Sequence, residues 1–190
     1  MHLIQFISLP ANNDNQVIPF LTLLVTIGTL IIAALALTTW RKQLKGSHDF
    51  ELARRINVSL YELRYQIKGA RSPYVEGEIN DAYANRWTRV VEPAKILQSS
   101  LFEAQILWDK DTYLALDAKV SDLLARLRWA IDAYLLSKNE QYASIGADIY
   151  TKNERNVLYS GIQQPKDEFA QEVDDLVDEF EELLSTKLKV

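Results

Sequence analysis

The stretch that decides the architecture is Val17–Trp40, VIPFLTLLVTIGTLIIAALALTTW, followed at once by the basic segment RKQLK at 41–45. Its 24 residues carry no charge. At about 1.5 Å per helical residue, such a run crosses a hydrocarbon core of about 30 Å with modest tilt. The reading is a single-pass transmembrane helix over 17–40, and everything else in the chain is placed from it. Residues 1–16 contain no Lys or Arg, whereas Arg41, Lys42 and Lys45 follow the run. Basic flanks stay in the cytoplasm. A short extracytoplasmic N-terminus, 1–16, and a cytoplasmic region, 41–190, with a cytoplasmic C-terminus are therefore expected. Trp40 takes the position of an interfacial aromatic, so Trp40, Arg41, Lys42 and Lys45 together form the expected membrane-surface anchor. A cleaved signal peptide is the competing reading. It lacks a basic n-region here, and the run exceeds an apolar h-region of about 7–15 residues.

Within the span, Thr22, Thr26, Thr29, Ala33 and Ala36 recur at intervals of 4, 3, 4 and 3. That spacing sets small residues on one helical stripe. Two readings are open: a helix-contact seam for a homo-oligomer or protein partner, or threonines bonded to their own helix carbonyls with the stripe facing lipid.

Composition narrows the chemistry. The chain has no Cys, which removes disulfides, thiolate metal sites and Cys nucleophiles together. Its two histidines, His2 and His48, fall on opposite sides of the span. A histidine metal cluster or a Ser-His-Asp arrangement is therefore not expected. Neither a phosphate-binding glycine loop nor a zinc-protease motif occurs in the chain. The formal net charge of −5 argues against bulk nucleic-acid binding. The expectation is a protein that is not an enzyme and takes no cofactor and no metal.

The cytoplasmic region reads as all-α. Leu52, Ile56, Leu60, Leu63, Ile67 and Ala70 mark a first helix that continues from the anchor to about Arg71, with Gly46-Ser47 a candidate interruption and Ser72-Pro73 its end. Tyr83, Trp87, Val90, Ala94, Leu97, Leu101, Ala104 and Trp108 mark a second, from about Glu78 to Trp108. Pro93 falls inside it, and the unbroken register favours a kink over a break. A third, from about Thr112 to Ser137, carries Tyr113, Leu116, Val120, Leu123, Leu127, Ile131 and Tyr134, with Asp109 or Asp111 as N-cap. A fourth, from about Pro165 to Leu188, carries Phe169, Val173, Leu176, Phe180 and Leu183. The near-heptad, coiled-coil-like spacing predicts a cytoplasmic antiparallel four-helix bundle after the N-terminal transmembrane helix. The long linker 138–164 is read as a strap over the bundle end or a recognition segment, with a short helix near Ala147–Leu158.

Two charged stripes stand out. Arg54, Asn57, Tyr61, Arg64, Lys68 and Arg71 recur on the first helix, and Glu168, Glu172, Asp175, Glu179 and Glu182 on the fourth. In an up-and-down bundle these helices are neighbours, so the stripes are expected to pair along one seam. The alternative gives Arg54, Arg64, Lys68 and Arg71 an anion or an acidic partner to bind. Glu103 is expected partly buried against an Arg of the first helix.

The segments WRKQLKGSHDFELARRINVSLYELRYQIKGARSPY (Trp40–Tyr74) and FEAQILWDKD (Phe102–Asp111) resemble a set of uncharacterised bacterial proteins of similar size. The recognisable parts are W-R-K-Q-L-K-G, E-L-A-R-R, the Arg-Ser-Pro turn and E-A-x-x-L-W. The resemblance implies one N-terminal membrane helix, a helical cytoplasmic region and a bacterial inner-membrane location. It implies no activity and transfers no site residue. The expected function is a membrane-anchored helical interaction or scaffold module at the cytoplasmic face, in contact with the lipid bilayer. The alternative is a ligand-responsive sensor or effector of a bacterial stress or anti-phage system acting at the membrane.

Overall fold

A computed structural model describes residues 14–72, 75, 77–142, 148–158 and 167–188, with side chains throughout these except at 14–20, 140 and 186. Among them the regular structure is entirely helical. The α-helices are α1 (Asp14–Ala70), α2 (Ile79–Leu107), α3 (Lys110–Lys138), α4 (Lys152–Leu158) and α5 (Glu168–Leu188), with a 3-10 turn at Glu140–Tyr142. The chain divides into two units, Met1–Ser47 and His48–Val190.

In the first unit, α1 is apolar on one face after another from Leu21 to Trp40, and its large side chains there are exposed. Every large apolar side chain from Leu21 to Trp40 is between 46% and 69% exposed. Among the described residues one helix is long and apolar enough to cross a membrane, and it is this one. Gly46 and Ser47 do not interrupt the helix, contrary to the expectation from their low helix propensity. A glycine costs only about 1 kcal/mol in a helix interior, which a 57-residue helix absorbs.

The second unit holds the core. Leu52, Ile56, Leu60, Leu63, Ile67 and Ala70 of α1 are all buried, as the spacing of three and four requires. From α2 come Tyr83, Val90, Ala94, Leu97, Leu101 and Ala104, with Trp87 and Trp108 half-buried at the margin. The α3 contribution is Tyr113, Leu116, Val120, Leu123, Leu127, Ile131 and Tyr134. The α5 register departs from expectation near its end. Leu184 is fully buried and Leu183 only partly, because the stripe through Val173, Val177, Phe180 and Leu184 follows the 3.6-residue period better over its last turns. Each fully buried Leu or Phe contributes about 1.5–3 kcal/mol.

Local chemistry sets the helix ends. α2 runs unbroken through buried Pro93, so the proline costs one backbone hydrogen bond and does not split the helix. Asp109 caps α3, accepting from the Asp111 backbone N–H at 3.3 Å and from the Thr112 hydroxyl. α4 opens on a capping box. Its Thr151 hydroxyl accepts from Asn153 N–H at 3.2 Å, while Glu154 Oε2 accepts from Thr151 N–H at 3.0 Å. Asp167 caps α5 by accepting from Ala170 N–H at 3.0 Å. The proposed first-turn residue Pro165 lies outside the described residues.

Contacts between helices follow a consistent order. Between α1 and α2, Asp49 meets Trp108 (Nε1 to Oδ1, 2.8 Å), Arg55 meets Glu103, and the Ser72 carbonyl accepts from Arg86 at 2.5 Å. Between α2 and α3, Tyr83 meets Tyr134, Trp87 meets Arg128, and Gln98 meets Ser121. Between α3 and α5, Lys119 meets Glu179 and Arg126 meets Glu172. In each set, residue numbers that rise on one helix fall on the other. Part of the 138–164 segment packs on α3 through α4, burying Leu158 and Tyr150.

Candidate functional site

A groove of about 550 Å³ lies between the last turns of α1 and the first turns of α5. Tyr61, Arg64, Tyr65, Lys68 and Arg71 come from α1 and the residue after it, and Asp167 and Asp174 from α5 and its cap. The side chains reach it because 61, 64, 65, 68 and 71 share one helical face. Ile67, Ala170 and Val173 form its floor.

Most of its charge is already matched. Arg71 is only 3% exposed, and its guanidinium donates to Val157 O at 2.5 Å, to Asn156 O at 3.2 Å and to Asp167 Oδ1 at 2.6 Å. It also lies 5.0 Å over the Phe169 ring. Arg64 sits 2.7 Å from Asp174 in a more exposed pair. The Tyr61 hydroxyl donates to Glu181, and that bond to a carboxylate, helped by some loss of hydration, holds the phenol above its ordinary pKa. Lys68 makes no ion pair among the described residues and is the cation left over in the groove.

Of the four cations singled out in the sequence, the structure brings Arg64, Lys68 and Arg71 together. Arg54 stands apart, paired at 3.2 Å with Glu51 of its own helix. The expected seam between the two charged stripes is corrected. Glu172 and Glu179 turn to Arg126 and Lys119 of α3, not to α1. The acids that meet α1 are Asp167, Asp174 and Glu181. They recur every seven residues, as Arg64 and Arg71 do, and that matched repeat was the signal available in the sequence. Bonding to Glu172, set against burial, holds Arg126 firmly charged.

The remaining sequence candidates are also located. Glu103 lies partly buried between Arg55 and His48, whose Nε2 is 3.3 Å from Oε1. In the apolar part of α1, Thr26 donates to Thr22 O and Thr29 to Val25 O, each at 2.8 Å. Both hydroxyls are thus satisfied within their own helix, while Thr22, Thr26, Thr29, Ala33 and Ala36 are all exposed. Trp40, Arg41, Lys42 and Lys45 are exposed as well. Among the described residues no group of three or more His, Cys, Asp or Glu is placed to hold a metal ion.

One half-buried acid was not singled out in the sequence. Burial raises the pKa of Asp117 on α3, opposed by a hydrogen bond from Gln98, and its Oδ1 is enclosed without a partner. Set against known proteins, the chain matches no family model, no curated protein and no solved structure, so the site is defined by its geometry alone.

Proposed function

We propose that this chain is a single-pass membrane protein whose helical region acts by contact, as an interaction or scaffold module at the cytoplasmic face, and not by catalysis. The observation that carries the reading is the uncovered apolar surface of α1 from Leu21 to Trp40, together with a second unit that buries its own core. Water is a poor solvent for eleven large apolar side chains exposed in one helix. A bilayer or a protein partner removes that cost. The cations Arg41, Lys42 and Lys45 support an N-out, C-in orientation.

In this reading, residues 48–70 of α1 with α2, α3 and α5 form an antiparallel four-helix bundle, and α4 straps α3. The opposed order of contacts on α1–α2, α2–α3, α3–α5 and α1–α5 supports it. Such a rigid, charge-laced bundle suits a docking role.

A second reading, a ligand-responsive sensor or effector of a stress or anti-phage system, rests on Lys68 in its groove. A small anion bridging Lys68 and Arg64 would compete with Asp174 and loosen the α1–α5 pairing.

Alkaline carbonate extraction of membranes bearing the full chain tests the anchor, with retention in the pellet expected and release overturning it. Impermeant maleimide on intact cells tests orientation. Asn12→Cys is expected to label and Ser121→Cys not, and the reverse pattern inverts the topology. Mass spectrometry of the assembly purified in mild detergent tests the contact role. A second protein or copy at fixed stoichiometry is expected, and a bare monomer overturns that role.

A further inference from the structure

The connection between α2 and α3 carries exposed apolar side chains that the second unit does not use. Phe102 is 64% exposed, Ile106 69%, Leu107 47% and Leu114 49%. All lie within about two helical turns of Trp108–Asp109. Phe102 and Ile106 are four residues apart and share one face of α2, opposite buried Leu97 and Ala104. This end is pinned to the start of the unit, since Trp108 Nε1 donates to Asp49 and Glu103 meets His48 and Arg55.

Asp49 is nine residues beyond Trp40. Chain length alone keeps it within about 30 Å of Trp40 if extended, at about 3.3 Å per residue, and about 14 Å if helical, at about 1.5 Å per residue. The bound holds whatever angle the two units adopt.

We propose that the α2–α3 connection docks into the lipid interface, inserting Phe102 and Ile106. The proposal rests on the membrane reading above. Lipid is favoured over a second copy by area. Four partly exposed side chains offer on the order of 400 Å², counting about 100 Å² each, whereas each partner in a stable protein interface buries about 600–800 Å² or more. An acyl interface sets no such minimum. The local charges Asp109, Lys110 and Asp111 sum to −1 and offer no surplus cation, so insertion is driven by apolar burial and not by anionic lipid.

The chain has no Cys, so single labels are unambiguous. The full chain carrying Ile106→Cys, Ala125→Cys or Ile31→Cys is labelled with an environment-sensitive fluorophore and reconstituted in phosphatidylcholine vesicles, with and without acyl-brominated lipid. Expected are blue-shifted, bromine-quenched emission at 106 and 31, and aqueous, unquenched emission at 125. Quenching at 31 but not at 106 overturns docking and leaves the anchor standing. Absence of quenching at 31 overturns the anchor and docking together. A blue shift at 106 that is unquenched and fades on dilution with lipid assigns the face to a second copy and overturns the proposal. Replacing phosphatidylcholine by phosphatidylglycerol is expected to leave the signal at 106 unchanged, and a strict requirement for anionic lipid overturns insertion by apolar burial.

Discussion

The Arg71 guanidinium and the Asp167 carboxylate, 2.6 Å apart, join the ends of three helices at one point. Arg71 follows α1, donates to carbonyls in the last turn of α4, and meets the residue that caps α5. Arg71→Met is expected to destabilise the second unit by about 3 kcal/mol, because it strands a partly buried carboxylate and two carbonyls. Arg71→Lys is expected to recover less than half, since an ammonium lacks the planar fork that reaches three acceptors. Urea denaturation of the detergent-solubilised chain followed by circular dichroism measures both, and full recovery by Lys contradicts the fork geometry.

Charge reversal reads out the corrected register of α5. Arg126→Glu is expected to cost about 1 kcal/mol, the upper range for half-exposed pairs, and Glu172→Lys to restore most of it. Glu172→Lys is expected not to rescue Arg64→Glu, whereas Asp174→Lys does. A double-mutant cycle in which Glu172 couples to Arg64 returns the acidic stripe to the α1 seam.

The end of α5 offers an apolar version of the same comparison. Leu184→Ala is expected to cost about 2–5 kcal/mol, and Leu183→Ala about 1 kcal/mol, because only Leu184 is fully enclosed. Equal losses in thermal denaturation contradict the register.

Asp117 predicts a pH dependence. Burial raises its folded-state pKa above the unfolded value, so the native state holds this proton more tightly. Its contribution to stability therefore falls as pH rises through the carboxylate range and is restored in acid. Asp117→Asn is expected to raise Tm at pH 7, with the gain closing as pH is lowered towards about 4, near the ordinary Asp pKa. A Tm offset that is equal at both ends rules out ionisation of Asp117 as the cause.

The helices were legible because burial imposes a period. Leu52 to Ala70, Tyr83 to Ala104 and Tyr113 to Tyr134 announce their faces by spacing alone, and the structure buries nearly all of them. The α3 cap was legible as Asp109 or Asp111 for a similar reason, since few residue types satisfy the first free N–H groups, and the structure selects Asp109. The charged seams were less so. Glu172, Asp174 and Asp175 differ by only a few residues, about 100° of rotation per position, and several stripes drawn through α5 look alike. Which acid meets Arg64 is decided by the rotation of α5 about its axis, set in turn by Phe180 and Leu184. The role of Arg71 was hidden because its partners include the carbonyls of Asn156 and Val157, which carry no side-chain signature. The Thr151–Glu154 capping box was written in the sequence as T-x-x-E and marks where α4 begins.

Tyr83, Tyr134 and Tyr150 form a run of rings with successive centroids 5.4 Å apart, crossing from α2 through α3 to the second residue before α4. Rings this close and this inclined couple their electronic transitions, so the ladder has an optical signature of its own. Detachment of the α4 strap removes Tyr150 while leaving the long helices in place. Near-ultraviolet dichroism would then change while the far-ultraviolet helix bands stay constant, giving this chain a built-in, label-free reporter of whether its strap is seated.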